Sequence, residues 1–316
     1  MMNCRTLHVL KTPVSEVGFG TWGLGGDAYG PISRPDALGL LRKSLESGIT
    51  FYDTADLYGA GRAEELLGEA FESRRKSVTI ATKVGFLPGG KTQDFSARHV
   101  RDSIEGSLKR LRTDHVDLYQ LHGPALTTLD DASLLRELED IQKSGKARAI
   151  GISVRSPADA APAIEKYGFR CVQVNFNMID QRPLDVGLFE LAKKQQVGII
   201  ARTPFCFGFL TGRYSGAGSL GELDHRASRP PELIERWSQA PEYFKSIYAA
   251  GARTPLEVAL QYCLAFREVS TVIPGMMNVQ QLLENIGASD SSKRLSENDL
   301  AAIRAVYQQH FSAPQR

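Results

Sequence analysis

Four residues with acid–base side chains stand at or just past the ends of short apolar runs. Asp53 closes Phe51-Tyr52-Asp53, Lys83 closes Ile80-Ala81-Thr82-Lys83, and His122 closes Leu118-Tyr119-Gln120-Leu121-His122. Tyr58 follows Asp53 by five residues. A carboxylate, a phenol, an ammonium and an imidazole suit proton transfer at an oxygen that gains or loses charge. Each also has a plainer explanation. An Asp at a strand end often caps the next helix. Tyr58 and His122 could be ordinary rim residues, and a lone lysine such as Lys83 could form a Schiff base.

The surrounding pattern decides whether these residues can meet. Ser33 can cap a helix with Pro35 and Asp36 in its first turn, Leu38, Leu41 and Leu45 on one face and Gly48 at its end. Ile49–Asp53 reads as the strand that follows. A helix over 62–72 and the strand Val78–Thr82 repeat the unit. Ser96 opens a helix carrying Val100, Ile104, Leu108 and Leu111, followed by a strand over Val116–Leu121. A helix near 131–144 stops at Gly145 and feeds Ala147–Ile152. Further strands are expected at 171–176, 197–201 and 269–273, with helices near 157–166, 183–196 and 254–266. With Val17–Gly20 first, this makes eight strands in βα alternation, hence a parallel sheet covered by helices.

An open doubly wound sheet competes with a closed barrel. Gly18-Phe19-Gly20-Thr21-Trp22-Gly23 has GxGxxG spacing, a weak signal alone. No acidic residue follows at the end of a second strand in the ribose-reading sense, since Asp53 belongs to another motif. Eight units without a linker favour a single (β/α)8 barrel, one α/β domain over 1–316. Barrel enzymes keep their chemistry at the C-terminal strand ends, where Asp53, Lys83 and His122 fall. Residues 1–16 suggest a hairpin before the barrel. Residues 203–240 read as a long functional loop without periodicity. Leu295–His310 reads as a final helix capped by Ser296.

Composition narrows the class. The 316 residues hold 38 basic and 36 acidic side chains, so no net field would recruit nucleic acid or an anionic membrane. Cys4, Cys171, Cys206 and Cys263 are scattered without CxxC spacing, which argues for a reduced, cytoplasmic protein without a disulfide scaffold. The first residues lack the apolar core of a signal peptide, and no run reaches the ~18 apolar residues of a membrane span. The six histidines show no metal-ligand spacing, so no metal is expected.

Several segments, in this order, resemble the aldo-keto reductases over nearly the whole chain. They are Gly18–Gly23, Phe51–Gly59, the lone Lys83, Asp117–His122, Gly145–Ser153, Val172–Asn177 and the late Ile273–Ala288. The resemblance implies a nicotinamide-dependent oxidoreductase that reduces an aldehyde, ketone or sugar carbonyl to an alcohol. It matches Asp53, Tyr58, Lys83 and His122 to the family's catalytic tetrad. Hydride delivery to a carbonyl leaves an alkoxide that needs a proton and a stabilising donor. A phenol of pKa about 10 is a poor acid at neutral pH, and a nearby ammonium is expected to lower that value. Tyr58 would then be the general acid, tuned by Lys83, which Asp53 holds, while His122 orients the carbonyl oxygen. A binding module remains the rival from another class, because potassium-channel beta subunits resemble this fold and keep the cofactor.

The resemblance also implies a dinucleotide, NADPH first with NADH possible. Gly20, Thr21, Trp22 and Asp53 would line it, Ser153 and Gln173 would hold the nicotinamide carboxamide, and Gly275, Gln281, Glu284 and Asn285 would reach the adenosine end. Glu284 also reads as a solvated helix face. Three departures stand out. Val154 replaces the usual Asn after the Ser. Met276-Met277-Asn278 and Gln281 offer no cation for a 2′-phosphate. Arg202 stands where the family often stacks an aromatic ring on the nicotinamide. Arg202 would either lie against that ring or turn away to anchor the 203–240 loop or a cofactor phosphate. The substrate itself is not legible. Its loops would be Trp22–Gly30, Gly85–Phe95 and 203–240, and the short tail after His310 suggests an open pocket. Oligomeric state is likewise not readable.

Overall fold

The computed structural model describes residues 2–221, 223–251 and 253–312. A two-stranded antiparallel hairpin, β1 (Cys4–Leu7) and β2 (Thr12–Ser15), precedes the barrel. Eight parallel strands then follow in chain order. They are β3 (Phe19–Gly20), β4 (Phe51–Asp53), β5 (Thr79–Val84), β6 (Val116–His122), β7 (Ala147–Ser153), β8 (Cys171–Asn175), β9 (Gly198–Arg202) and β10 (Val269–Val272). Each pairs with the next, and parallel bridges Val17–Val272 and Gly20–Gly275 join the last strand to the first. The expected (β/α)8 barrel with an N-terminal hairpin is therefore the fold.

Helices connect the strands. They are α1 (Arg34–Glu46), α2 (Arg62–Phe71), α3 (Ala97–Leu111), α4 (Ala132–Lys143), α5 (Ala160–Glu165), α6 (Arg182–Asp185) and α7 (Leu188–Gln195). Ser33 accepts from the Asp36 amide and Ser96 from the His99 amide, each at 3.2 Å, which satisfies amides the first turn leaves unpaired. α8 (Pro231–Gln239), α9 (Lys245–Gly251), α10 (Pro255–Ala265), α11 (Val279–Gly287) and α12 (Glu297–His310) complete the shell. Ser296 caps α12 as expected, accepting from the Asp299 amide at 3.1 Å.

Three expectations are corrected and a further helix gains its bounds. Residues 203–240 are not uniformly irregular, since they hold 3-10 turns and all of α8. Only Ile234 and Trp237 bury from that helix, too few apolar positions to show a period. The helix expected over 183–196 is two helices, split where Gly187 takes φ 67°. The sequence reading gives α11 no bounds beyond placing Glu284 on a helix face, although Asn278 caps it through the Gln281 amide at 2.9 Å. The strand expected from Ile49 starts at Phe51, because the Thr50 amide donates to the Ser15 hydroxyl of the hairpin at 3.0 Å.

The barrel interior is layered, and the layering positions the site. Side chains alternate across a strand, so residues two apart share a face. Phe51, Ala81, Leu118, Ala149, Cys171, Ile200 and Ile273 form one buried apolar layer, sealed below by Leu7 and Val14 of the hairpin. Two residues further along β4, β5, β6, β8 and β9 stand Asp53, Lys83, Gln120, Gln173 and Arg202. An apolar plug thus carries a polar layer directly above it, at the C-terminal ends of the strands.

Candidate active site

Lys83 is the centre of that polar layer and is fully buried. Its ammonium donates to Asp53 Oδ1 at 2.5 Å, to the Thr54 carbonyl at 2.8 Å and to the Tyr58 hydroxyl at 3.2 Å. Burial pulls the Lys83 pKa down, the Asp53 carboxylate and the Tyr58 oxygen push it up, and the net direction is up. Lys83 is therefore a fixed cation with all three protons engaged, a poor nucleophile for Schiff-base chemistry. The His122 ring meets Tyr58 at 6.0 Å and Phe86 at 4.9 Å, edge to face in both cases. Burial, and then Lys83 and Arg202, hold its pKa well below the ordinary range, so the imidazole is neutral. A neutral imidazole can still donate one N–H to a carbonyl oxygen.

Tyr58 departs from the expectation in one respect. Burial raises its pKa, Lys83 opposes this, and burial prevails, so the phenol lies above its ordinary value rather than below. The phenol is thus protonated at neutral pH. Its oxygen accepts from the Lys83 ammonium at 3.2 Å.

Two buried amides complete the layer. Asp53 Oδ2 accepts from Gln173 Nε2 at 2.7 Å and from Gln120 Nε2 at 3.2 Å. Because a carboxylate only accepts, both amides must turn their nitrogens toward it. Gln173 Oε1 then faces Ser153, whose hydroxyl donates to it at 3.1 Å. Gln173 therefore links Ser153 to Asp53. Gln120 is absent from the sequence-derived set, yet its position two residues before His122 on β6 was the available signal.

A cavity of about 790 Å³ opens above this layer. Gly20, Thr21, Trp22, Asp53, Ser153, Gln173, Arg202, Gly275, Gln281 and Asn285 all line it, together with Tyr58 and His122. Glu284 does not, and instead pairs with Arg213 at 2.6 Å. Gln281 accepts from the Met277 amide at 2.8 Å. The Asn285 side chain is buried, and its amide nitrogen and oxygen both lack a partner among the described residues. Such an amide is costly unless a ligand pairs with it. The roof is aromatic. Trp22 packs on His225 at 4.3 Å, on Tyr29 at 5.7 Å and on Tyr58 at 6.2 Å. The His225 amide donates to the Ala28 carbonyl at 2.9 Å, so the 203–240 segment is pinned to the Trp22–Gly30 loop. Gln93 Nε2 donates to the His122 carbonyl at 2.8 Å and ties the Gly85–Phe95 loop to the same site. Sequence reasoning named these loops but neither tie.

The aldo/keto reductase family model matches residues 16–308. The chain belongs to the aldo/keto reductase family. Its relatives include an uncharacterized oxidoreductase of Bacillus subtilis, 31% identical over 98% of this chain and 100% of that one. An aldo-keto reductase of Schizosaccharomyces pombe named for NADP(+) is 32% identical, over 96% of this chain and 91% of that one. Among solved structures, a glycerol dehydrogenase of Gluconobacter oxydans superposes with a TM-score of 0.82 at 25% identity, covering 99% and 97% of the two chains. This aldo/keto reductase is thus an oxidoreductase. No helix among its described residues is long and apolar enough to cross a membrane. Among the same residues no group of three or more His, Cys, Asp or Glu could hold a metal.

The Tyr58 turn depends on a close backbone approach. Gly59 has φ 58°, and a Cβ there would lie 2.4 Å from the Gly25 carbonyl oxygen. Gly59→Ala therefore meets both strain and a backbone clash that no side-chain rotation relieves. A loss of about 2–4 kcal/mol is expected. Denaturant unfolding of variant and parent measures it, and an unchanged midpoint would contradict the packing described.

Proposed function

We propose that this aldo/keto reductase reduces an aldehyde, ketone or sugar carbonyl to the alcohol with NAD(P)H, Tyr58 being the general acid. The observation that carries the reading is the Lys83 ammonium held between Asp53 at 2.5 Å and the Tyr58 hydroxyl at 3.2 Å. The carbonyl oxygen is received by Tyr58 and the neutral His122. The Tyr58 phenol gives its proton to the developing alkoxide, and Lys83 stabilises the phenolate left behind. Asp53, fixed by Gln120 and Gln173, keeps Lys83 in place and charged. Trp22, Tyr29, Phe86 and Phe207 wall the cavity with aromatic rings.

When bound, the dinucleotide supplies the hydride. The lining fits such a group. Ser153 and Gln173 would hold the carboxamide, and the unpaired Asn285 amide offers the donor and acceptor an adenine edge requires. We propose NADPH as the coenzyme, as in the name of the yeast relative. Arg213 would supply a cation beside a 276–285 segment that contains no Lys or Arg.

A panel of aldehydes, ketones and aldoses with NADPH and NADH in parallel tests both statements. Coenzyme oxidation by some member of the panel, faster with NADPH, is expected. Oxidation faster with NADH would overturn the coenzyme assignment alone. Coenzyme binding without oxidation by any member would favour a cofactor-binding module over an enzyme.

A further inference from the structure

We propose that Arg202 is a fixed positive charge beside the nicotinamide that makes the site hold the reduced coenzyme more tightly than the oxidised one. The inference rests on the nicotinamide reading above and adds a direction to it, since such a site is poised for reduction.

Arg202 ends β9 and lines the cavity with Ser153 and Gln173, which end β7 and stand on β8. Its guanidinium donates to Asn175 Oδ1 and, at 3.1 Å, to the Val154 carbonyl. It thus cross-ties three strand ends, rather than anchoring the 203–240 loop. Both acceptors are neutral, Nε has no partner, and no carboxylate lies within ion-pairing distance among the described residues. Arg202 is half-buried with its Nε enclosed, and a partly desolvated guanidinium without a paired counter-ion is unusual, because desolvation of a charge is normally offset by a paired one. Guanidinium N–H bonds lie in the plane of the group, so these two contacts hold an edge and leave the faces available to a ring.

The hydride donor must stand where Arg202 is felt. Its reacting carbon has to come within about 3–3.5 Å of a carbonyl carbon whose oxygen is held by Tyr58 and His122. Both of those side chains sense the Arg202 charge, which lowers the pKa of each. Reduction gives the substrate carbon a hydride and its oxygen the Tyr58 proton, and it turns a neutral ring into a cation. That cation then faces Arg202. Two unit charges about 6 Å apart at an effective dielectric near 20 differ from a charge and a neutral ring by about a hundredfold in affinity, and water in the mouth reduces this to about tenfold.

The test measures binding without turnover. Quenching of tryptophan fluorescence, with Trp22 in the cavity wall, gives dissociation constants for the oxidised and reduced coenzyme in the parent, Arg202→Gln and Arg202→Tyr. Arg202→Gln keeps a donor toward Asn175 and loses the charge, so it guards against simple collapse of the strand ends. Thermal unfolding of each variant identifies any that is misfolded. In both neutral variants the ratio of oxidised to reduced dissociation constants should fall about tenfold, chiefly through tighter binding of the oxidised form. If both constants change by one common factor and the ratio stays, Arg202 is an anchor and the proposal is wrong. If the folded parent binds neither form, the nicotinamide reading itself fails, and this inference with it.

Discussion

Tyr58→Phe is expected to lower turnover in carbonyl reduction at least ~100-fold while leaving coenzyme affinity within about twofold of the parent. The variant keeps the ring that packs on Trp22 at 6.2 Å and lies under the Lys83 ammonium at 4.9 Å. It removes only the hydroxyl, and with it the proton and the acceptor of the Lys83 bond. His122 and Lys83 remain and can still polarise a carbonyl, so the residual rate should exceed that without enzyme. Steady-state rates on a validated substrate and fluorescence titration of coenzyme separate the two effects. Turnover near the parental value, with coenzyme still bound, would remove Tyr58 from its role as acid.

Much of this site was legible in sequence because the barrel imposes a period. Strands two residues per repeat place Leu118, Gln120 and His122 on one face of β6. Tyr119 turns outward, where its hydroxyl donates to the Val100 carbonyl of α3 at 3.0 Å. The same alternation sets Asp53 above Phe51 and Lys83 above Ala81. Caps such as Ser33 and Ser96 marked helix starts by local hydrogen bonding alone. What escaped was set by long-range contact. The pairing of Glu284 with Arg213 joins residues 71 apart, and the Asp53–Gln173 bond joins residues 120 apart. The direction of the Tyr58 shift escaped for a related reason. A neighbouring ammonium is visible in a motif, but the burial that outweighs it exists only in the folded chain.

Lys83→Met is expected to reduce carbonyl reduction at least ~1,000-fold at every pH, since on the proposed mechanism it removes the charge that stabilises the forming phenolate. The pH dependence of the parent enzyme gives the sign. The Tyr58 phenol, raised by burial, is protonated through the neutral range. Reduction should therefore be independent of pH there and fall only as pH climbs past the raised value. Alcohol oxidation needs the phenolate and should rise over the same alkaline range. Lys83 is the largest influence opposing burial, so Lys83→Met moves the phenol further up and shifts any residual oxidation to higher pH. The substitution also leaves Asp53 buried and charged, with only Gln120 and Gln173 as donors. Removing one partner of a buried pair costs about 3–5 kcal/mol, so a lower melting temperature is expected as well. Adding Asp53→Asn removes the stranded charge. The double variant should regain much of the lost stability and none of the lost activity, which divides the chemical role of Lys83 from its part in the fold. Asp53→Asn alone should weaken reduction less than Lys83→Met, because it loosens the ammonium without removing it. Full activity in Lys83→Met would contradict the arrangement, and so would recovery of activity in the double variant.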